Sequence, residues 1–491
     1  MKNINIKKLW VVVACVATFT GCKKDFLETT PTTSINSSEA FSSKEKIDAA
    51  VTGIYDLSSN GSFKYDMILA NDIKGTDFVL LSNADNYGRF VDAYQYIETP
   101  NTTYVTNYWT IGYRLINNAN QFEQYIPTSP LTDTEKNAYL AETRALRAET
   151  YFWLIQWFAK PYNVDPEALG LPLVTQPLGP NDPLGSRAKV KDVYAQIISD
   201  LKFAEANIPA SKNNIYRLTK GAVQGLLARV YLSMSNWPEA SSYAKLARVG
   251  RPLGSAQSLL DGFIDPTSEW IYAINSRSDD NAGYITVHSF YCAYLIGYGS
   301  FLATKPFLDS FSAADLRKKQ FLIPDNPNNP ASSSDYVLLN GDGWNTHKFW
   351  FFKTPAQNQV IMRSSEMYLI EAEAEARQGA ANEAAAKLAL QVIQNRAMPG
   401  VALSANTGTA LIDEIMAERA RELYGEGFKY FDLLRTKKNI IRTAVPDPVN
   451  GAHWSAINFQ PGDNRLVLPI PQAELNANPI LKGQQNPGYS N

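Results

Sequence analysis

The sequence predicts a mostly α fold in which tetratricopeptide-like helix pairs scaffold long, irregular, ligand-binding loops. Three observations carry this. Apolar side chains recur at helical spacing through most readable segments of the chain. Residues 221–252 place small and aromatic residues where paired helices need close approach. Two long stretches, 74–103 and 270–355, lack that periodicity and are rich in Tyr, Asn, Gly and Asp.

The N-terminus stands apart from the rest. Lys2, Lys7 and Lys8 form a basic start, residues 9–19 an apolar run broken only by Thr18, and Thr20-Gly21 lead to Cys22. This is the pattern of a signal peptide. The apolar run is too short for a bilayer-spanning helix, which needs roughly 20 residues. Gly21-Cys22 resembles a lipobox, in which cleavage leaves the cysteine to carry lipid; Phe19 stands where Leu is usual. Residues 1–21 are therefore expected to be a lipoprotein signal peptide, with Cys22 as the acylated, palmitate-bearing anchor. Residues 22–38 are too polar in Thr, Ser and Pro to pack and are expected to form a flexible tether. Residues 39–491 then make one domain.

Within that domain the helical stripes run in order. Trp109, Tyr113, Ile116 and Asn120 share one face, as do Tyr151, Leu154, Ile155 and Phe158 in residues 140–158. Val193, Ile197 and Leu201 make the next stripe, closed by Pro209. Val223, Leu226, Leu227, Val230 and Tyr231 follow the i, i+3, i+4, i+7, i+8 pattern. Ala228, Tyr231, Ala240, Ala244, Ala247 and Pro252 fall on the small, aromatic and proline slots of a tetratricopeptide repeat, with Asn236-Trp237-Pro238 as its turn. A looser copy runs through Tyr368, Ala372, Ala384 and Leu388, turning at residues 379–382. A third pairs the helix ending near Phe158 with one starting near Val190, split by the Pro-rich insertion 160–189.

Composition and motif content narrow the function. The net charge is −2 and no run of Lys and Arg could track a phosphate backbone, so nucleic acid is not an expected partner. Cys15, Cys22 and Cys292 form no CxxC pair, and His288, His347 and His453 form no HExxH. No metal site or cofactor is expected. Asp279, Asp280, Asn281 and Gly283 lack the spacing of a calcium loop and read as a turn. No nucleophile elbow, P-loop or dinucleotide fingerprint occurs. Glu371, Glu373 and Glu375 crowd one helix, where a solvated or capping role is expected in place of acid–base work. Glu418, Arg419, Arg421, Glu422 and Arg435 suggest a structural ion-pair network, and the pair Arg144 and Arg147 reads the same way. Catalysis is not expected.

The aromatic loops hold the candidate ligand contacts. Asn86, Tyr87, Arg89, Phe90, Tyr94 and Tyr96 lie in the first irregular stretch. Tyr284, Tyr291, Tyr294 and Tyr298 lie in the second, with Trp344 beyond. A sugar ring wants a flat aromatic face for its apolar side and Asn, Asp or Arg for its hydroxyls. Asn86, Tyr87, Tyr284, Tyr291, Tyr294 and Trp344 are the residues expected to touch ligand. Trp109, Tyr151 and Trp153 sit on regular helices and read as core.

A series of segments points to one family. They are RALRAETYFWL (144–154), LPLV (171–174), ARVYL (228–232) and RSSEMYLIEAEA (363–374). Glu418-Arg419, Glu422-Leu423, EGFKYFDLLR (426–435), LPIP (468–471), Asn478-Pro479 and NPGY (486–489) come after them. With the lipobox, this ordered set resembles the SusD/RagB family of surface nutrient-binding lipoproteins. One departure is Ala159-Lys160-Pro161 after Phe158, where many members carry Gly and an acidic turn. The resemblance implies a SusD-like α-α superhelix with an N-terminal part near 39–215 and a C-terminal part near 270–491. It also implies lipid anchoring at the surface of the outer membrane. There the protein would capture a nutrient, most plainly an oligosaccharide, and pass it to a TonB-dependent SusC-like transporter. The rival readings are a tetratricopeptide adaptor that binds protein, and a peptide-binding uptake protein.

Overall fold

The computed structural model describes residues 37–80, 87–179, 182–292, 297–324, 336–338, 346, 348–350, 356–443 and 455–490. Among these residues the helices that position the site and its scaffold are α1 (Lys44–Ser58), α2 (Asp66–Lys74), α3 (Thr103–Tyr125), α4 (Asp133–Phe158), α5 (Val190–Asn207), α6 (Lys220–Ser233), α7 (Trp237–Ala247), α8 (Val287–Tyr291), α9 (Ser364–Arg377), α10 (Glu383–Ala397), α11 (Gly408–Leu423) and α12 (Lys429–Arg435). α4 pairs with α5, α6 with α7, and α9 with α10. α3 packs between α1 and α4, and α5–α6, α7–α9 and α9–α11 contacts join the pairs into one layer. The mostly α expectation and the tetratricopeptide-like pairing both hold.

Local sequence explains the helix ends. Thr132 and Glu135 form a reciprocal capping box at α4, and Ser43 and Thr219 cap α1 and α6. In the α6–α7 pair, Ala228, Ala240, Ala244 and Ala247 are buried, and Tyr231 stacks on Tyr243 with centroids 5.6 Å apart. The turn is at Ser235-Asn236, since Trp237 and Pro238 already belong to the first turn of α7. The expected register of α10 needs correction. Ala384 and Leu388 face away from the core, and the buried stripe is Ala386, Ala389, Leu390 and Ile393, two residues on. The tight 3-10 turn Ala380–Asn382 delays the helix start to Glu383 and so rotates its inner face.

Among the described residues, five two-stranded antiparallel sheets stitch the irregular segments down. β1 (Phe78–Leu80) pairs with β5 (Phe301–Ala303) in the register Phe78↔Ala303, fastening the first irregular stretch to the second. β2 (Leu169–Pro172) pairs with β3 (Arg187–Lys189), closing the 160–189 insertion. β4 (Trp270–Ile274) pairs with β8 (Gln359–Arg363) through two irregular steps. The other two pairs are β6 (Leu322–Pro324) with β7 (Tyr336–Leu338), and β9 (Ile440–Arg442) with β10 (Ile457–Phe459).

The ion-pair network is deeper than its sequence suggested. Glu422, fully buried, meets Arg363 at 2.6 Å and Arg317 at 2.9 Å, and also touches Arg396. Arg363 continues to Glu426 at 2.8 Å, and Lys348 reaches Glu426 at 2.7 Å. Burial alone would raise the Glu422 carboxyl, but the adjacent Arg396, Arg363 and Arg317 outweigh it and hold it well below the usual range. Glu371, Glu373 and Glu375 are all buried, which corrects the expectation of a solvated or capping role: Arg248 meets Glu371 at 2.6 Å, Lys245 meets Glu375 at 2.7 Å, and the deepest of the three is Glu373. It is buried, and Arg435 grips both its oxygens at 2.7 Å while Arg377 adds a bond of 2.8 Å. Arg435 also binds Asp432, which holds Arg419 at 2.7 Å. On the N-terminal side Arg144 binds Glu123, and Arg147 binds Asp200 and Asn120. Each of these carboxylates is held by at least one structural cation.

A candidate glycan-binding face

Two loops distant in sequence meet because β1 pairs with β5. Behind them lies a wall of buried rings. Phe90 meets Phe290 of α8 with centroids 5.1 Å apart and Phe301 of β5 at 5.7 Å. Tyr298 leans on Phe290 at 4.8 Å. Its backbone is fixed by the Ser289 hydroxyl, which accepts from the Tyr298 N–H at 3.1 Å, while the Ser289 carbonyl accepts from Gly299 at 2.9 Å. A side chain at position 297 would place Cβ 2.7 Å from that carbonyl, so only glycine permits this approach.

In front of the wall, Tyr298 sits between Tyr284 and Tyr87, with centroids 6.0 Å and 6.5 Å away. The Arg89 guanidinium lies 5.5 Å from the Tyr87 ring centre and 5.2 Å from that of Tyr298. Tyr87 is 80% exposed and Tyr284 45%. Tyr87 and Phe90 both take left-handed backbone angles, φ 56° and 64°, which turn one ring outward and the other into the core. The result is a solvent-facing patch of three tyrosines and one arginine on a rigid apolar base. Flat faces of this kind cover the C–H surface of a pyranose, and a guanidinium donates to hydroxyls.

Of the expected contacts, Tyr87 and Tyr284 are brought together here. Asn86, Tyr294 and Trp344 lie outside the described residues. Tyr291 was expected at the ligand surface, and the structure contradicts it. It is fully buried against Phe78, Phe301 and Phe349, and its hydroxyl donates to Asp72 at 3.0 Å. It falls on the inward side of α8, next to Phe290, which a loop reading of this stretch could not reveal. Tyr94 and Tyr96 are likewise buried. Arg89 and Tyr298 complete the patch; the sequence marks them only as members of the two aromatic stretches. Tyr298 stands between Gly297 and Gly299, a flanking that signals close backbone packing.

Electrostatics around the patch are shaped by burial. Asp66, on α2, accepts from the Tyr108 hydroxyl. Burial pushes its carboxyl up to about 7 against the pull of that hydroxyl and of Arg89. Burial likewise pushes Asp72 up to about 7 and His288 down to about 4. At neutral pH His288 is then uncharged beside the Phe263 carbonyl, 3.1 Å from Nε2. Among the described residues no group of three or more His, Cys, Asp or Glu could hold a metal. In the 279–283 turn, Arg277 pairs with Asp279 and Asp280, and the Asn281 side-chain carbonyl accepts from the Gly283 N–H at 3.0 Å. A separate cleft of about 300 Å3, mostly apolar, lies between residues 160–169 and the C-terminal segment. There Arg187 and Gln485 spend their polar atoms on main-chain groups and Asn486.

Two family models match the chain. One, described as the SusD family, covers residues 322–489; the other, described as starch-binding associating with outer membrane, covers residues 25–232. A SusD-like protein of Bacteroides ovatus is 24% identical over 47% of this chain, which spans only 40% of that relative's length. A SusD-like protein of Formosa agariphila is 22% identical with 99% of each chain covered. A solved SusD superfamily protein from Bacteroides vulgatus is 26% identical, with 92% of this chain and 100% of that one superposed at a TM-score of 0.76. A laminarin-binding SusD-like protein is 23% identical over 91% of this chain and 100% of that one, at a TM-score of 0.70. Among the described residues no helix is long and apolar enough to cross a membrane.

Proposed function

This chain belongs to the SusD/RagB family, and from that premise we propose that it is a non-catalytic surface lipoprotein that binds an oligosaccharide. The observation that carries the reading is the patch in which exposed Tyr87 and Tyr284 flank half-buried Tyr298 and Arg89 on a base of packed rings. Such a surface holds a sugar by stacking and hydrogen bonds without supplying an acid–base pair. The starch-binding description of one family model and the laminarin ligand of one structural neighbour support a glycan over a peptide. Cys22 carries the lipid that holds the protein at the outer membrane, and Asn86, Tyr294 and Trp344 belong to the same proposed set of ligand contacts. A TonB-dependent SusC-like transporter receives the ligand.

The test uses residues 23–491 on a glycan array and on affinity gels. Retained glycan without release of reducing ends is the expected result. Hydrolysis would overturn the non-catalytic reading, and binding of peptides alone would overturn the glycan. Detergent extraction of the full lipoprotein should bring a large β-barrel with it; purification without any barrel favours an adaptor.

A further inference from the structure

A second cleft, of about 230 Å3, is lined on one side by Arg277 and Asp280 of the 277–280 turn. Its walls are the last turn of α1, the end of β4 and the loop holding Tyr216. Three contacts fix them. The Ala273 N–H donates to the Ile215 carbonyl at 2.9 Å, which holds the Tyr216 loop along β4. The Asn214 side chain accepts from the Tyr216 N–H at 2.9 Å. Gly61, just beyond α1, lies so close to Ala282 that an added Cβ would stand 3.3 Å from the Ala282 Cβ. None of Tyr87, Arg89, Tyr284 and Tyr298 lines this cleft.

The floor is satisfied and the walls are not. Tyr55 donates to Glu142 at 2.6 Å, and Tyr272 accepts from Lys64 at 3.4 Å. On the walls, the Asp56 carboxylate, the Asn275 amide and the Tyr216 hydroxyl bond no described residue, yet all three residues line the cleft. Asp56 stands in the last turn of α1, where outward-facing carbonyls give the helix its negative end. Arg277 is engaged by Asp279 and Asp280. The cleft is thus rich in acceptors, bounded by a half-buried tyrosine, and negative in potential. It suits a ligand that brings many hydroxyl donors and no negative charge.

We propose that this cleft between α1, β4 and the 277–280 turn is a second glycan subsite, sized for one neutral hexose unit. Asp56 and Asn275 take its hydroxyls and Tyr216 flanks the ring. The negative end of α1 excludes uronic acids. The assignment rests on the glycan reading for its ligand class alone, and its residues are independent of the aromatic face.

The experiment is saturation-transfer NMR with glucose, galactose, mannose, N-acetylglucosamine and glucuronic acid as probes. It compares the wild-type chain, the Asp56→Ala/Asn275→Ala variant and the Tyr87→Ala/Tyr284→Ala variant. Asp56 and Asn275 are exposed, so the first variant should keep the wild-type melting curve, which is recorded alongside. At least one neutral sugar should bind about tenfold more weakly to the cleft variant and unchanged to the aromatic-face variant. Glucuronic acid should give no cleft-dependent signal. A signal lost only in the aromatic-face variant overturns the second subsite and leaves the glycan reading standing. Silence of all probes on the wild-type chain overturns the subsite too, while the oligosaccharide array judges the glycan reading separately. Cleft-dependent binding of glucuronic acid overturns the charge argument.

Discussion

Removing the exposed rings of the aromatic face should cost ligand affinity and almost nothing in stability. Fully covering an aromatic side chain buries about 150–250 Å2. Tyr87 is 80% exposed and Tyr284 45%, and a stacked sugar covers one face of a ring. That leaves roughly 80 Å2 to be covered on Tyr87 and roughly 45 Å2 on Tyr284. At about 25 cal/mol per Å2 these areas give about 2 and about 1 kcal/mol. Tyr87→Ala should weaken glycan binding about thirtyfold, Tyr284→Ala about fivefold, and the double variant by about two orders of magnitude. Neither ring supports the core, so the melting temperature should stay within about 1 °C of wild type. Calorimetric titration with the best array ligand reads the first quantity and thermal denaturation the second. A folded double variant that binds within about twofold of wild type would refute the assignment of this face.

Glu422→Gln leaves three buried arginines short of a charge and should cost about 3–5 kcal/mol; with about 1 kcal/mol/K of unfolding entropy for 491 residues, the melting temperature should drop by about 3–5 °C. Burial raises Asp72 to about 7 in the folded state, so its contribution is full below the ordinary carboxylate range and is lost as pH rises to about 7; urea titrations from pH 4 to 8 should show a decline that Asp72→Asn flattens. Gly425 has φ 77°, and a Cβ there would meet the Phe349 ring at 2.1 Å, so Gly425→Ala should cost about 2–4 kcal/mol in denaturant melts, and a neutral effect would contradict the packing. Cys22→Ser should move the protein from the membrane to the soluble fraction on blotting while glycan binding persists, and joint loss of both would contradict a separate tether and binding face.

The sequence by itself determined the helical architecture and the family. The 3.6-residue stripes and the alanine slots of residues 221–252 record which faces must be buried, and burial is what a local pattern encodes. The Glu418 to Arg435 charges were legible as a network for a similar reason, since like spacing on adjacent helices brings them together. Tertiary structure alone decided the rest. Leu388 looks like a repeat position, yet a 3-10 turn of three residues rotates α10 and leaves it in solvent. Tyr291 and Tyr284 look alike in the sequence, seven residues apart in one polar, aromatic stretch. α8 turns the first onto Asp72 in the core, and the preceding turn leaves the second on the surface. Tyr87 and Tyr298 share a face only because β1 pairs with β5 across more than two hundred residues. A stripe reports what a segment hides from water, but which loops meet depends on pairings that no single segment contains.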